Sequence, residues 1–175
     1  ALNDKKEHVV YISPLKSIIN DLYDNLNLII KDLKLDLKIG KRTGDESYSS
    51  KKNQIQNPDN ILLTTPESLA LMISKRETND YFKKISYLAI DELNEIVCTK
   101  RGDQLSLVIS RIFSLNNFIK IVAASTAIDN YSFLSDWISF KENVKVIKND
   151  IFKKIKLSIL DLKNIPDYGH SVNFA

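Results

Sequence analysis

Apolar and polar positions along this chain repeat in two rhythms: short apolar runs, and longer stretches in which apolar residues return every three or four positions. Runs alternating in this way read as strands joined by crossover helices, so the pattern predicts a parallel α/β sheet. His8–Ile12 is the first predicted strand. It meets Ser13-Pro14, after which Leu15, Ile18, Ile19, Leu22, Leu26, Ile29, Ile30 and Leu33 mark one buried helix face. Ser13 has the side chain of an N-cap, and Pro14 suits the first helical position, where a missing N–H costs nothing. A second strand is expected over residues 34–40, followed by Thr43-Gly44-Asp45 and a polar helical stretch to about Gln56. A third strand, residues 60–64, meets Thr65-Pro66 and a helix through Ile73, repeating the cap-plus-proline device.

A fourth strand over residues 86–90 ends in Asp91-Glu92, and a fifth over residues 120–124 ends in Ser125-Thr126. Between them, residues 104–115 place Leu105, Val108, Ile109 and Ile112 on one helix face. A helix is expected over Tyr131–Ile138, with Trp137 as core packing beside Leu134 and Ile138. Residues 144–147 and 155–162 read as further strands. The last is expected to be covered on one side only, because Ile155, Leu157 and Ile159 alternate with Lys and Ser. No internal repeat or low-complexity linker interrupts the series, and residues from Pro166 onward read as a trailing connection.

Composition narrows this picture without deciding a function. The 175 residues suffice for one domain with a full core, and 43% apolar with 27% charged residues is the balance of a folded protein. A net charge of +3 neither requires nor excludes a nucleic-acid partner. The lone Cys98 excludes an internal disulfide, and with two scattered histidines it leaves no ligand set for structural zinc. No apolar run approaches the roughly 20 residues needed to span a bilayer, and the first residues are polar, unlike a signal peptide. The expectation is a cytoplasmic protein with no membrane partner.

In an open parallel sheet, ligands bind outside the carboxyl ends of the strands. Ser13-Pro14, Thr43-Gly44-Asp45 and Thr65-Pro66 all fall at such ends. The two proline motifs would offer free backbone N–H groups and the positive end of a helix dipole, a combination that favours phosphate. Either motif alone also serves simply to start a helix. Asp91-Glu92 after an apolar strand has the shape of a Walker B pair, in which one carboxylate holds hydrated magnesium and the other orients the attacking water. Carboxylates also end strands for solvation alone. The phosphate-binding loop itself, Gly-x-x-x-x-Gly-Lys-Ser/Thr, is absent from these residues. Gly40-Lys41-Arg42-Thr43 imitates its end, but position 35 is Leu and Arg42 replaces the magnesium-binding hydroxyl.

Taken in order, these motifs resemble a family. Tyr11-Ile12-Ser13-Pro14-Leu15-Lys16 is similar to motif Ia of superfamily 2 helicases of the Lhr type, and Thr43-Gly44-Asp45 resembles their next strand-contacting loop. Ile61 to Leu71, ILLTTPESLAL, resembles their Thr-Thr-Pro-Glu-Ser-Leu signature. Asp91-Glu92-Leu93-Asn94 stands where motif II belongs, Lys100-Arg101-Gly102 follows at the family's spacing, and Ser125-Thr126-Ala127 occupies motif III. Residues 165–171 resemble the link into a second motor domain.

The resemblance implies a three-layer RecA-like parallel sheet, ATP as fuel with magnesium, and a DNA or RNA strand crossing the strand ends independently of sequence. Ser13, Pro14, Lys16, Thr43, Gly44, Thr65 and Pro66 would contact the nucleic-acid backbone. Asp91 would hold magnesium through water, only with ATP bound, and Glu92 would act on the attacking water. Asn94, Ser125 and Thr126 would couple hydrolysis to movement, although the family's motif II ends in His and its motif III reads Ser-Ala-Thr. Residues 1–163 would form a partial, N-terminally truncated first motor domain and residues 164–175 a linker. Its partners would be an upstream phosphate-loop segment and a second RecA-like domain, absent through trimming, gene division or decay. Neither bound ATP nor activity is expected of these residues alone. Two rivals stand beside this reading: a non-catalytic α/β interaction module, and a metal-dependent hydrolase built on Asp91, Glu92 and Asp103.

Overall fold

The computed structural model describes residues 8–126, 131–138 and 144–147. Compactness divides the chain into Ala1–Val144 and Lys145–Ala175. Of the second unit only residues 145–147 are described. Within the first, β1 (His8–Ile12), β2 (Ile39–Arg42), β3 (Ile61–Thr64), β4 (Ile85–Ile90) and β5 (Lys120–Ala123) form one sheet in the order β2-β3-β1-β4-β5. Every neighbouring pair is parallel, as the alternation of periods predicts. The helices are α1 (Lys16–Asp32), α2 (Tyr48–Gln56), α3 (Pro66–Ile73), α4 (Asn79–Phe82), α5 (Leu93–Val97), α6 (Lys100–Leu115) and α7 (Tyr131–Ile138).

Side chains alternate across the sheet, so each face builds its own core. Val10, Ile12, Leu62, Leu88 and Ile90 pack with Leu69 and Met72 of α3 and with Leu105, Ile109 and Ile112 of α6. Trp137 packs half-buried against the same cluster. On the opposite face Leu63 and Ile39 meet Ile19 of α1. The result is three layers.

Four expectations need correction. First, Ser13 and Pro14 do not open α1: its N-cap is Leu15, and no side chain caps it. Second, the α1 face is narrower than its apolar spacing suggests, because Leu15, Ile29 and Leu33 are 52%, 49% and 64% exposed. A helix of this length runs about 25 Å while a four-residue strand spans only about 13 Å, so the last turns overhang the sheet. Third, β2 begins at Ile39 instead of residue 34. Leu33 ends the helix and Lys34 turns the chain in the left-handed region (φ 50°), so those residues terminate α1 and cannot pair. Fourth, residues 144–147 carry no regular structure. A four-residue run becomes a strand only where a neighbouring edge accepts its ladder. The strand expected over 155–162, the boundary at 163/164, the linker and Ala127 lie outside the described residues.

Candidate functional site

The five strands end in a single row. Arg42 pairs with Thr64, Thr64 with Ile12, Ile12 with Ile90 and Ile90 with Ala123. The next residues therefore lie side by side across the sheet edge: Thr43, Thr65, Ser13, Asp91 and Ala124. Ladder hydrogen bonds extend into this row, from Ser13 N to Thr64 O at 3.1 Å, from Asp91 N to Ile12 O at 2.8 Å and from Ala124 N to Ile90 O at 2.9 Å. Sheet order thus sorts the candidate residues into two halves. Those expected to meet nucleic acid follow β2, β3 and β1, while the acidic pair and the coupling residues follow β4 and β5.

On the first half, Thr65 caps α3 by accepting from Ser68 N at 3.3 Å, with Pro66 in the first turn. Ser13, Pro14, Thr43, Thr65 and Pro66 are buried, and only Lys16 and Gly44 are exposed. Because Pro66 has no N–H and Thr65 occupies Ser68 N, α3 offers fewer free donors than its sequence suggests. The N-terminus of α1, beginning at Lys16, has no side-chain cap and so keeps more of its first-turn N–H groups than that of α3. The Lys16 ammonium bridges to Asp45 at 2.8 Å and so draws the loops after β1 and β2 together. Gly40-Lys41-Arg42 lies inside β2 as extended backbone, with Arg42 buried and donating to Lys51 O and Gln54 Oε1. It forms no phosphate cradle.

On the second half, Glu92 is a non-glycine residue in the left-handed region (φ 46°, ψ 51°). That conformation costs on the order of 1 kcal/mol and persists where surrounding contacts enforce it. Here Glu92 N donates to Asp91 Oδ1 at 3.0 Å, and Thr126 Oγ1 donates to Glu92 Oε2 at 3.0 Å. Ser125 Oγ donates to Asn94 Oδ1 at 2.7 Å and Leu93 N donates to Ala124 O at 2.9 Å, so three hydrogen bonds hold the segments after β4 and β5 together. Asp103 is exposed on α6, and among the described residues no cluster of three metal-ligating side chains exists, which leaves the hydrolase reading without a site.

Tyr11 was not singled out by its chemistry, yet its hydroxyl donates to Asp91 Oδ2 at 2.5 Å. Burial first, then the hydrogen bond to Asp91 and the charges of Asp91 and Glu92, push its pKa well above the ordinary tyrosine value, so it stays a donor. The available signal was a polar-tipped ring one place before the strand end, between buried Val10 and Ile12. Gly102, also unassigned, marks a close approach: a Cβ there would meet Ile96 O at 2.4 Å and Val97 O at 2.7 Å.

The family model for DEAD/DEAH box helicases matches residues 1–134. The chain belongs to the DEAD/DEAH box helicase family. Among its relatives, ATP-dependent helicase Lhr-Core of Methanocaldococcus jannaschii is 33% identical over 129 residues, 68% of this chain and 15% of that protein. The helicase Lhr of Mycobacterium smegmatis, solved bound to ssDNA and AMP-PNP, superposes with a TM-score of 0.66 at 26% identity, covering 74% of this chain and 18% of that one. The helicase MrfA, solved bound to DNA and AMPPNP, shares the fold with a TM-score of 0.68 at 20% identity, covering 78% and 20% of the two chains. This helicase chain is thus an Lhr-like first RecA-like domain and spans a small part of its relatives' length. No described helix is long and apolar enough to cross a membrane.

Proposed function

We propose that this helicase domain carries the strand-contacting surface and the hydrolytic carboxylates of an ATP-driven nucleic-acid motor. The observation that supports it most is the single row of strand ends, which sets Lys16 and the loops after β1, β2 and β3 beside Asp91 and Glu92. Relatives of the same fold bind DNA together with an ATP analogue. On this reading a DNA or RNA strand lies across the β2-β3-β1 half, held by its phosphates without regard to sequence. The acidic half then faces the nucleotide.

Asp91 and Glu92 supply hard carboxylate oxygens on one short loop, which suits a magnesium ion that keeps most of its water. Asp91, oriented by Tyr11 and by Glu92 N, would hold that hydrated ion, and Glu92, held by Thr126, would orient the attacking water. Bound magnesium-ATP supplies the phosphoryl group and its leaving group. The described residues form no triphosphate cradle, so these residues alone neither bind ATP tightly nor turn it over. Asn94, Ser125 and Thr126 would transmit the state of the acidic loop to β5 and beyond.

Titration of the 175-residue chain with a fluorescent ATP analogue, in parallel with a phosphate-release assay, tests the nucleotide half of this reading. No saturable binding and no magnesium-dependent release is the expected result. Micromolar binding with turnover that Asp91→Ala abolishes would show that the acidic pair works without a separate cradle.

A further inference from the structure

Arg101 stands in the first turn of α6 yet reaches two loops distant in sequence. Its Nη2 donates to the Pro14 carbonyl at 2.9 Å and to Glu67 Oε2 at 3.3 Å, while its Nε donates to Glu67 Oε1. Pro14 lies between β1 and α1, and Glu67 lies in the first turn of α3. One guanidinium therefore joins the loop after β1 to the first turn of the helix that follows the neighbouring strand β3. Its planar fork of donors is what makes both attachments at once, which a lysine ammonium on a flexible stem does not reproduce.

Glu67 gives this contact an electrostatic side. A carboxylate at the start of α3 complements the helix dipole but repels a phosphate approaching the same loop. Burial, the largest single influence, would raise the Glu67 pKa, but the Arg101 hydrogen bond, the group's own backbone N–H, the Arg101 charge and the Thr65 side chain together outweigh it and hold the group ionised below its ordinary value. Arg101 itself is anchored from behind. The Ile96 and Val97 backbone closes over Gly102, and Thr99 caps α6 by accepting from Gly102 N at 3.3 Å, so the helix start is fixed against α5.

We infer that Arg101 is a positioning residue that locks the Ser13-Pro14 and Thr65-Pro66 loops at one separation and masks the Glu67 charge, so that nucleic-acid binding depends on Arg101 without its touching phosphate. This rests on the strand-contacting reading proposed above and assigns a role to a residue that the motifs leave without one. Loss of Arg101 both frees the two loops and exposes a carboxylate to the strand. Loss of Glu67 as well removes the repulsion.

The experiment compares the parent chain with Arg101→Gln, Arg101→Lys, Glu67→Gln and the Arg101→Gln/Glu67→Gln pair. Fluorescence anisotropy with a single-stranded oligonucleotide at two salt concentrations gives affinity and salt slope. Backbone hydrogen exchange at Leu15, Lys16 and Ser68 reads the loops directly, with no oligonucleotide present. Arg101→Gln is expected to weaken affinity on the order of tenfold with an unchanged slope, and to speed exchange in both loops. Adding Glu67→Gln is expected to recover much of the affinity but not the exchange protection. Arg101→Lys, which keeps the charge and serves as the probe if the glutamine variant does not fold, is expected to fall between parent and Gln in affinity while exchanging fast. A slope reduced by about one with no rescue by Glu67→Gln means direct phosphate contact and overturns the inference. Unchanged affinity with unchanged exchange overturns it as well. If the parent binds no oligonucleotide, the strand-contacting reading falls, and the exchange data alone then uphold the clamp or overturn it.

Discussion

Ser125, two residues beyond β5, donates its hydroxyl to Asn94 in α5 across 2.7 Å, joining two segments separated by 31 positions in sequence. A partly buried neutral hydrogen bond of this kind contributes about 1 kcal/mol. Ser125→Ala and Asn94→Ala should each lower stability, and the double variant should lose less than the sum, with a coupling of about 0.5 to 1 kcal/mol. Urea unfolding of the four proteins measures it. Strict additivity would mean that the two segments are not energetically linked and that the pair has no part in transmitting the state of the acidic loop.

Gly102→Ala should destabilise the domain by about 2 kcal/mol or more, because the new methyl group meets the Ile96 and Val97 backbone, which cannot swing aside as a side chain would. A lower thermal midpoint with the native circular dichroism spectrum retained is the expected outcome. An unchanged midpoint would show that α5 and α6 approach less closely than 2.4 Å to that carbonyl implies.

Tyr81 is 5% exposed, and its hydroxyl has no hydrogen-bond partner among the described residues. Removing an unsatisfied buried donor should help, so Tyr81→Phe is expected to raise stability by about 1 kcal/mol near neutral pH. Burial, then the charge of Asp59, raises its folded pKa above the ordinary 10.0, with Arg42 opposing. A raised folded value means that the native state holds the proton after the unfolded chain has released it. Stability is then complete below about pH 10 and falls as pH rises further. The advantage of Phe over Tyr should therefore widen between about pH 7 and about pH 11 in urea titrations. A destabilised variant, or a gap that narrows, contradicts this.

How far the site was legible in the sequence differs from residue to residue. Strand ends were readable because apolar runs stop abruptly at Ser13, Thr65 and Asp91, and parallel pairing then placed them in one row without any further choice. The cap at Thr65 was readable because capping is local. Ser13-Pro14 has the same local chemistry but a different outcome: Arg101 holds the Pro14 carbonyl, and the helix starts after Leu15, a contact 87 positions away that no local pattern records. Tyr11 was hidden for the same reason, since its hydroxyl meets Asp91 only once β1 and β4 are neighbours. The exposed turns of α1 were missed because periodicity reports which side is apolar, not how long the sheet beneath it is.

The acid limb offers a check on the Arg101 contact. Glu67 has a folded pKa below its ordinary 4.5, so its contribution is present above that value and is lost as pH falls through the depressed one. Glu67→Gln should flatten the loss of stability in that window relative to the parent, measured by thermal unfolding at a series of acidic pH values. Identical acid profiles would mean that the ion pair adds nothing to the folded state.

The central claim, that the row of strand ends meets a nucleic-acid backbone, is tested most directly by the affinity of the chain for a single-stranded oligonucleotide at about 50 and about 200 mM salt, measured for the parent, Lys16→Ala and Asp45→Asn. Lys16 is half exposed and shares its ammonium with Asp45, so a phosphate must compete with that carboxylate. The account predicts binding indifferent to sequence that weakens steeply with salt. Lys16→Ala should weaken it severalfold and lower the salt slope by about one, and Asp45→Asn should tighten it. Binding that ignores salt and is untouched by either substitution would contradict the account and place the nucleic acid, if any is bound, on another surface.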